Sequence, residues 1–222
     1  MEIVYDDDTV RIVRLVVGPL ATNTYIVYDK GEMEGVIIDP GGDPDKILKA
    51  LEKIHVDIKY IVATHAHFDH ILAVPSLLEY LNARFIMHRE DLEILEYSTF
   101  LCRSYMADWS PPEIGEEDFV DDGDEIVFGE VSLKVIHTPG HTPGSISLLG
   151  GGYVFTGDTL FRNAIGRTDF PGGDWEQIVD SIIRLMALPD ETIVFPGHGR
   201  PTSIGRERRE NPYVRRILNY KI

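Results

Sequence analysis

Four potential metal ligands lie close together in residues 65–70. They are the imidazoles of His65, His67 and His70 and the carboxylate of Asp69. Nitrogen and oxygen ligands of this kind suit zinc, iron, manganese or nickel. The apolar run before them, residues 60–63, is typical of a β-strand, so His65 and His67 can project to the same side of its end. The segment therefore predicts one loop that offers a pair of ligands to each of two adjacent metals.

Further along the chain, three turns carry one more potential ligand each. The ligands are His141, Asp158 and His198, and Gly or Pro residues punctuate each turn after a strand-like run. Catalytic groups commonly gather on such loops at strand ends. Asp158 alone would also fit an ordinary turn aspartate. Together, the three turns repeat the arrangement of residues 65–70 and indicate a shared metal site.

The order of these ligands resembles the metallo-β-lactamase superfamily over roughly residues 10 to 200. The resemblance implies that one metal is held by His65, His67 and His141. It implies that the other metal is held by Asp69, His70 and His198. Asp158 would bridge the two ions. The implied cofactors are two divalent ions, zinc in the first place, with iron or manganese as alternatives.

Residues 157–161 and 166–173 resemble the glyoxalase II branch, in particular its short hydrolases without the long helical C-terminal extension. In glyoxalase II enzymes a basic residue at the place of Arg167 holds the glycine carboxylate of glutathione, which implies that Arg167 binds substrate. The alternative is an internal ion pair with Asp169. The longer enzymes have a tyrosine where this chain has Arg200, so the resemblance implies thioester or other ester cleavage without specifying glutathione.

The ligand set predicts hydrolysis of a small-molecule substrate by hydroxide held between the metals, which also polarise the carbonyl. Asp69 is the candidate catalytic residue, since it could orient the hydroxide or accept its proton. A second hypothesis is a persulfide dioxygenase with one iron, because those proteins keep the same histidines and a similar 166–170 segment. Arg200 favours the hydrolases. A third is a metal-binding regulatory module without catalysis.

Alternating and apolar runs predict two successive blocks of strands, at 11–17, 24–28, 36–39, 59–64 and 84–88, then 125–128, 132–137, 145–149, 153–156 and 192–195. Helices are predicted at 44–54, 69–82, 90–100, 175–188 and 211–219, with Asp43 capping the first and Pro75 early in the second or kinking it. The blocks predict an α/β fold. We expect an αββα sandwich of two mixed sheets with helices outside, formed as one domain over residues 1–222.

Composition limits the classes of partner. The 222 residues carry a net charge of −16, from 21 basic and 37 acidic side chains, which disfavours binding to nucleic acid. No apolar run reaches the ~18 residues of a membrane span. The acidic N-terminus is unlike a signal peptide, and Cys102 has no partner for an intrachain disulfide. We therefore expect a cytoplasmic protein with no membrane partner and treat Cys102 as a bystander; oligomeric state has no sequence signal.

Residues 97–124 combine aromatic side chains with an acidic run. One interpretation is a solvated crossover between the two halves of the chain. The other is a lid whose aromatic side chains wall a substrate pocket over the metals.

Overall fold

The structure is a computed structural model that describes the backbone of residues 1–221. The first half of the chain forms a mixed sheet. Its strands lie in sequence order: β1 (Glu2–Asp6), β2 (Val10–Val17), β3 (Thr22–Asp29), β4 (Glu34–Ile38), β5 (Asp57–Val62) and β6 (Arg84–Ile86). Strands β1 to β4 are antiparallel, whereas β4, β5 and β6 run parallel. The parallel strands place the ends of β4 and β5 at the same edge of the sheet.

The second half forms another mixed sheet. Its elements begin with β7 (Glu125–Phe128), β8 (Val131–His137), β9 (Ile146–Leu149), β10 (Tyr153–Gly157) and a small hairpin of β11 (Leu160–Phe161) and β12 (Ala164–Ile165). The last strands are β13 (Ile193–Pro196) and β14 (Thr202–Ser203). The sheet order is β14-β13-β10-β9-β8-β7, with β10 and β13 parallel. The ends of β10 and β13 therefore also share one edge.

Helices cover the outer faces of the two sheets. They are α1 (Pro44–Ile54), α2 (Phe68–Ile71), α3 (Val74–Leu78), α4 (Leu92–Tyr105), α5 (Trp175–Leu185), α6 (Ile204–Glu210) and α7 (Pro212–Lys221), with 3-10 turns at Arg89–Asp91 and Glu116–Asp118. No helix within residues 1–221 combines the length and apolar character needed to cross a bilayer.

The core has three layers of contact. Inward-facing side chains of both sheets, such as Ile12, Tyr25, Leu133 and Phe155, form one buried cluster. Two outer clusters bury the apolar faces of the helices, α1, α3 and α4 against the first sheet and α5 to α7 against the second. The sequence prediction of an αββα sandwich with mixed sheets is confirmed.

Local chemistry explains where the predicted elements differ. The helix predicted over 69–82 is interrupted between α2 and α3, and Pro75, which has no N–H to donate, lies in the first turn of α3. Asp43 does not cap α1 with its side chain: its backbone is left-handed (φ 48°), and its Oδ2 accepts a hydrogen bond from Gly18 N at 3.2 Å. The short strands β1, β11, β12 and β14 and the short helix α6 were not predicted.

Candidate metal centre

All seven predicted ligands meet at one edge of the sandwich. His65 and His67 follow β5, and Asp69 and His70 lie in α2 directly after them. The second sheet contributes one ligand from the loop or turn after each of β8, β10 and β13, namely His141, Asp158 and His198. The site is therefore built from both sheets, with the ligands on loops held by rigid strands.

His65, His67 and His141 form the first group. Their ligand nitrogens lie within 4.8 Å of one another, and His67 Nδ1 is 3.0 Å from His141 Nε2. The rings meet edge to face, with centroids 4.7 Å and 4.8 Å apart. In this arrangement three imidazole lone pairs are directed at one small volume.

Asp69, His70 and His198 form the second group. Asp69 Oδ2 lies 3.2 Å from His198 Nε2 and 3.6 Å from His70 Nε2. Thr22 Oγ1 donates to the same oxygen at 3.2 Å. The carboxylate is thus fixed between two histidines and a hydroxyl on β3.

Asp158 lies between the two groups. Its carboxylate is 3.7 Å from His141 Nε2 on one side, and 3.5 Å and 3.6 Å from the Nε2 atoms of His70 and His198 on the other. This is the position from which one carboxylate can contact two neighbouring ions.

Several buried polar atoms at the centre have no hydrogen-bond partner within the described part of the chain. They include His65 Nε2, His70 Nε2 and Asp158 Oδ1. Buried polar atoms are nearly always hydrogen-bonded, so such atoms at one place require an explanation. A cation that accepts their lone pairs would satisfy all of them, and the residues present therefore fit a metal pair.

The electrostatic environment differs between the histidines. Burial and the neighbouring imidazoles hold the pKa of His65 well below its usual value and lower the pKa of His67 to about 3. Both rings are therefore neutral and keep a lone pair. Burial opposes charge on His70, but three carboxylates, Asp39, Asp158 and Asp69, raise its pKa to about 10. The second group thus favours a positive charge at its centre.

Asp39, at the end of β4, positions ligands without being one of the predicted set. Its Oδ1 accepts from Thr64 N and its Oδ2 from Thr64 Oγ1, both at 2.7 Å. Thr64 Oγ1 in turn lies 3.1 Å from His65 Nδ1, and His70 Nδ1 lies 3.0 Å from Asp39 Oδ2. The strand-Asp-Pro-Gly pattern of residues 36–41 was the available signal, since it matches the turns that carry the other ligands.

Asp91 ties the ligand loops of the two sheets together. Its buried carboxylate accepts from Ala66 N at 2.7 Å, between two ligands of the first sheet. It also accepts from Gly144 N at 2.6 Å and Thr142 Oγ1 at 3.0 Å, beside His141. No pattern in the sequence distinguishes Asp91 from the other acids around it, because its partners lie far away along the chain.

A cavity of about 180 Å³ opens over the two groups. Its walls include Leu20, Phe68, Tyr97, Leu101 and Phe170 beside the ligands. Tyr97, one of the aromatic residues of the lid interpretation, and Leu101 come from α4. Trp109 does not contribute to this wall: it is buried in the core, and its Nε1 donates to Leu72 O at 3.0 Å.

Arg167 lies next to the site but is engaged within its own loop. Its Nε and Nη2 donate to Asp169 at 2.9 Å and 2.7 Å, and its guanidinium lies 4.2 Å from the Phe170 ring centre. Its backbone carbonyl lies 2.8 Å from His141 Nδ1 and orients that ring. The side chain is thus paired within its own loop, with both partners exposed, and the substrate-binding role of Arg167 stays a prediction.

His88, Glu90 and His137 also lie close together, apart from the centre. The two rings are stacked, with centroids 4.2 Å apart and planes 12° from parallel. An imidazole nitrogen has its lone pair in the ring plane, so stacked rings direct their lone pairs along parallel planes. This cluster cannot share one tetrahedral ion unless a ring rotates.

Comparison with known proteins agrees with this geometry. Residues 17–198 match the model of the metallo-beta-lactamase superfamily. The hydroxyacylglutathione hydrolase GloC of Haemophilus influenzae is 32% identical over 196 residues, 86% of this chain and 92% of that protein. A di-iron-bound form of TTHA1623 superposes with a TM-score of 0.82 at 38% identity, covering 90% of this chain and 99% of the other. ETHE1 from Myxococcus xanthus superposes with a TM-score of 0.75 at 32% identity, covering 95% of this chain and 91% of the other.

Proposed function

The chain belongs to the metallo-β-lactamase superfamily, and on that premise we propose that it is a glyoxalase II-like metallo-hydrolase that cleaves a thioester or related ester in a small molecule. The observation that carries the proposal is the complete ligand set, with Asp158 between two groups of three ligands. The 32% identity to GloC, a hydroxyacylglutathione hydrolase, supports the choice of substrate bond.

The proposed cofactors are two divalent ions, with zinc first and iron or manganese as alternatives. The di-iron-bound form of TTHA1623, a similar protein, supports two ions and keeps iron among the alternatives. When bound, such ions supply a water of lowered pKa and Lewis acidity toward a carbonyl oxygen. His65, His67 and His141 would hold one ion, Asp69, His70 and His198 the other, and Asp158 both.

The residues around the ions would position the reactants. Asp69 is the proposed catalytic residue: Thr22 and His198 contact its Oδ2, and the carboxylate so held would orient an attacking water or accept its proton. The apolar wall of the cavity would exclude bulk water from the acyl group. Cys102 is not the nucleophile, since it is fully buried and burial raises the pKa of its thiol to about 12.

A persulfide dioxygenase is the second candidate, because ETHE1 from Myxococcus xanthus is similar over nearly the full length of both chains. Two assays on the purified protein separate the candidates: hydrolysis of an acyl thioester, and oxygen consumption with glutathione persulfide. We expect thioester hydrolysis without oxygen uptake. Oxygen uptake with no hydrolysis would refute the hydrolase and establish the dioxygenase.

A further inference from the structure

A second cavity adjoins the metal centre on the side of His198. It has a volume of about 280 Å³ and is lined by Phe161, Arg162, His198, Gly199 and Arg200. His198 lines both this cavity and the one over the ligands. A molecule whose scissile bond lies at the ions can therefore extend into this space.

The two arginines that line this cavity have no acidic partner among the described residues. In a chain with 37 acidic and 21 basic side chains, at least nine of the other twelve arginines pair with a carboxylate. Arg167 illustrates the contrast, since Asp169 occupies two of its donors. Arg162 and Arg200 keep their guanidinium donors available to a ligand.

Arg200 is carried by a turn that is fixed on its inner side. Gly199 has a left-handed backbone (φ 79°), which glycine adopts without strain. Its carbonyl accepts hydrogen bonds from Asn23 Nδ2 at 3.0 Å and Arg14 Nη1 at 3.1 Å. The backbone from which Arg200 projects is therefore held by β2 and β3.

Arg162 is carried by the turn of the β11–β12 hairpin, which is fixed in a similar way. The next residue, Asn163, has φ 64°, and its N–H donates to Glu207 Oε2 at 2.7 Å. Asn211 Nδ2 donates to the carbonyl of Ala164 at 3.0 Å. Both turns are thus positioned before any ligand arrives, which lowers the entropic cost of binding.

We propose that Arg162 and Arg200 form a subsite for an anionic group of the substrate, a carboxylate or a phosphate, beside the His198 end of the metal centre. A planar guanidinium binds either oxyanion through paired N–H donors. The substrate class is then an anionic thioester or ester, in a chain whose overall charge would otherwise repel it. This inference rests on the proposed function for the bond that is cleaved.

The test compares thioesters that share one acyl group and differ in the thiol. The thiols are mercaptoacetate, a thiol that carries a phosphate monoester, and neutral 2-mercaptoethanol. Arg162→Ala and Arg200→Ala are each expected to lower kcat/KM about tenfold on an anionic thioester and to leave the neutral one nearly unchanged. If kcat/KM falls more on the mercaptoacetate thioester, the subsite binds a carboxylate. If it falls more on the thioester with the phosphate monoester, the subsite binds a phosphate.

Two matched variants separate local recognition from other effects. Arg215→Ala removes the same charge from the exposed face of α7 and should change neither substrate. Arg167→Ala removes the pair with Asp169 and the contact with Phe170, and a loss on charged and neutral thioesters alike would give Arg167 a structural role distinct from that of Arg162 and Arg200. Equal losses on both substrates for Arg162→Ala and Arg200→Ala, or no loss on either, would overturn the subsite.

Failure of the proposed function has a different signature, namely no hydrolysis of any of the three thioesters by the wild-type protein. Calorimetric titration of the metal-loaded protein with glutarate, a dicarboxylate without a thiol, then tests whether the two arginines bind an anion. Binding that weakens about tenfold in the double variant would support the subsite. Equal binding by wild type and double variant, or no binding by the wild type, would refute it.

Discussion

At the scale of single residues, Asp158 has an unusual environment. Its carboxylate faces three histidines from two different ligand groups, and one of its oxygens is buried without a hydrogen bond from the described residues. Such an atom is unfavourable in the metal-free protein and favourable once a cation is bound. The ligands therefore differ in how many ions each of them contacts, and substitutions should reveal the difference.

Replacing His65 or His67 by alanine should remove mainly one ion, because both side chains belong to the same group of three. Metal content measured on the purified protein is expected to fall from about two to about one per chain. A wild-type content that never exceeds one at saturating metal would contradict the two-ion arrangement and favour the dioxygenase.

Asp158→Asn should be more damaging than any single histidine substitution. A bridging carboxylate contacts both ions and offsets part of their mutual repulsion, so its loss weakens both positions together. Metal titration should show both equivalents bound more weakly, with turnover lost. A variant that retained both metals and near-native turnover would show that Asp158 does not bridge.

At the scale of elements, the predictions that succeeded depend on local patterns. The span of α1 and the strand that precedes His65 can be predicted from periodicity within a few turns of chain. For Asp39, the strand-Asp-Pro-Gly pattern of residues 36–41 was a signal for the position, but not for its hydrogen bonds to Thr64, 25 positions away. The positioning role of Asp91 had no such signal, because its hydrogen bonds reach residues 25 and 53 positions away. The side-chain cap predicted for Asp43 was wrong for the same reason, since Gly18 on another loop binds that carboxylate.

Asp91→Asn tests whether one buried carboxylate holds the two ligand loops in register. The asparagine side chain keeps one oxygen that can accept a hydrogen bond. Its NH₂ group replaces the other oxygen and faces N–H or hydroxyl groups that are themselves donors. The free energy of unfolding should fall by about 2–4 kcal/mol, and metal affinity should fall with it. Glu93→Gln, on the exposed face of α4, is the matched control. If denaturant unfolding gave Asp91→Asn the same stability as the wild type, the Asp91 carboxylate would not be what holds the two ligand loops together.

Cys102, on α4, should resist alkylation in the native protein. Burial, with the nearby charge of Asp69, raises the pKa of its thiol from 9.0 to about 12, so the reactive thiolate is absent at pH 9 in the folded state. Its contribution to stability is full below the unfolded pKa and is lost as pH rises through the folded value. Iodoacetamide at pH 9 should label the protein only in denaturant; rapid native labelling would contradict the buried placement.

At the scale of the whole molecule, the two sheets share one buried layer. Ile12 and Tyr25 of the first sheet pack in the same cluster as Leu133 and Phe155 of the second. Neither sheet could expose that face to water without losing much of its burial energy. The sheets are therefore expected to depend on each other for stability, and a single domain over residues 1–222 stays our prediction.

Metal-free protein should accordingly unfold in one transition. Because the shared layer must be disrupted for either sheet to separate, far-UV and near-UV circular dichroism should give coincident denaturant curves. Metal is removed for this measurement, since tightly bound ions by themselves break two-state behaviour. Two separated transitions would show that the halves fold independently.

The contribution of ligands from both sheets has a further consequence. An ion held by His65 and His67 on one side and His141 on the other fastens the sheets across their open edge. Any ligand that binds only the folded state stabilises it by mass action, by about 2.7 kcal/mol when free metal is a hundred times its Kd. The melting temperature of this chain is therefore expected to depend on the free metal concentration of the solution as well as on the sequence. Measured against buffered metal, it would act as an indicator of free ion concentration.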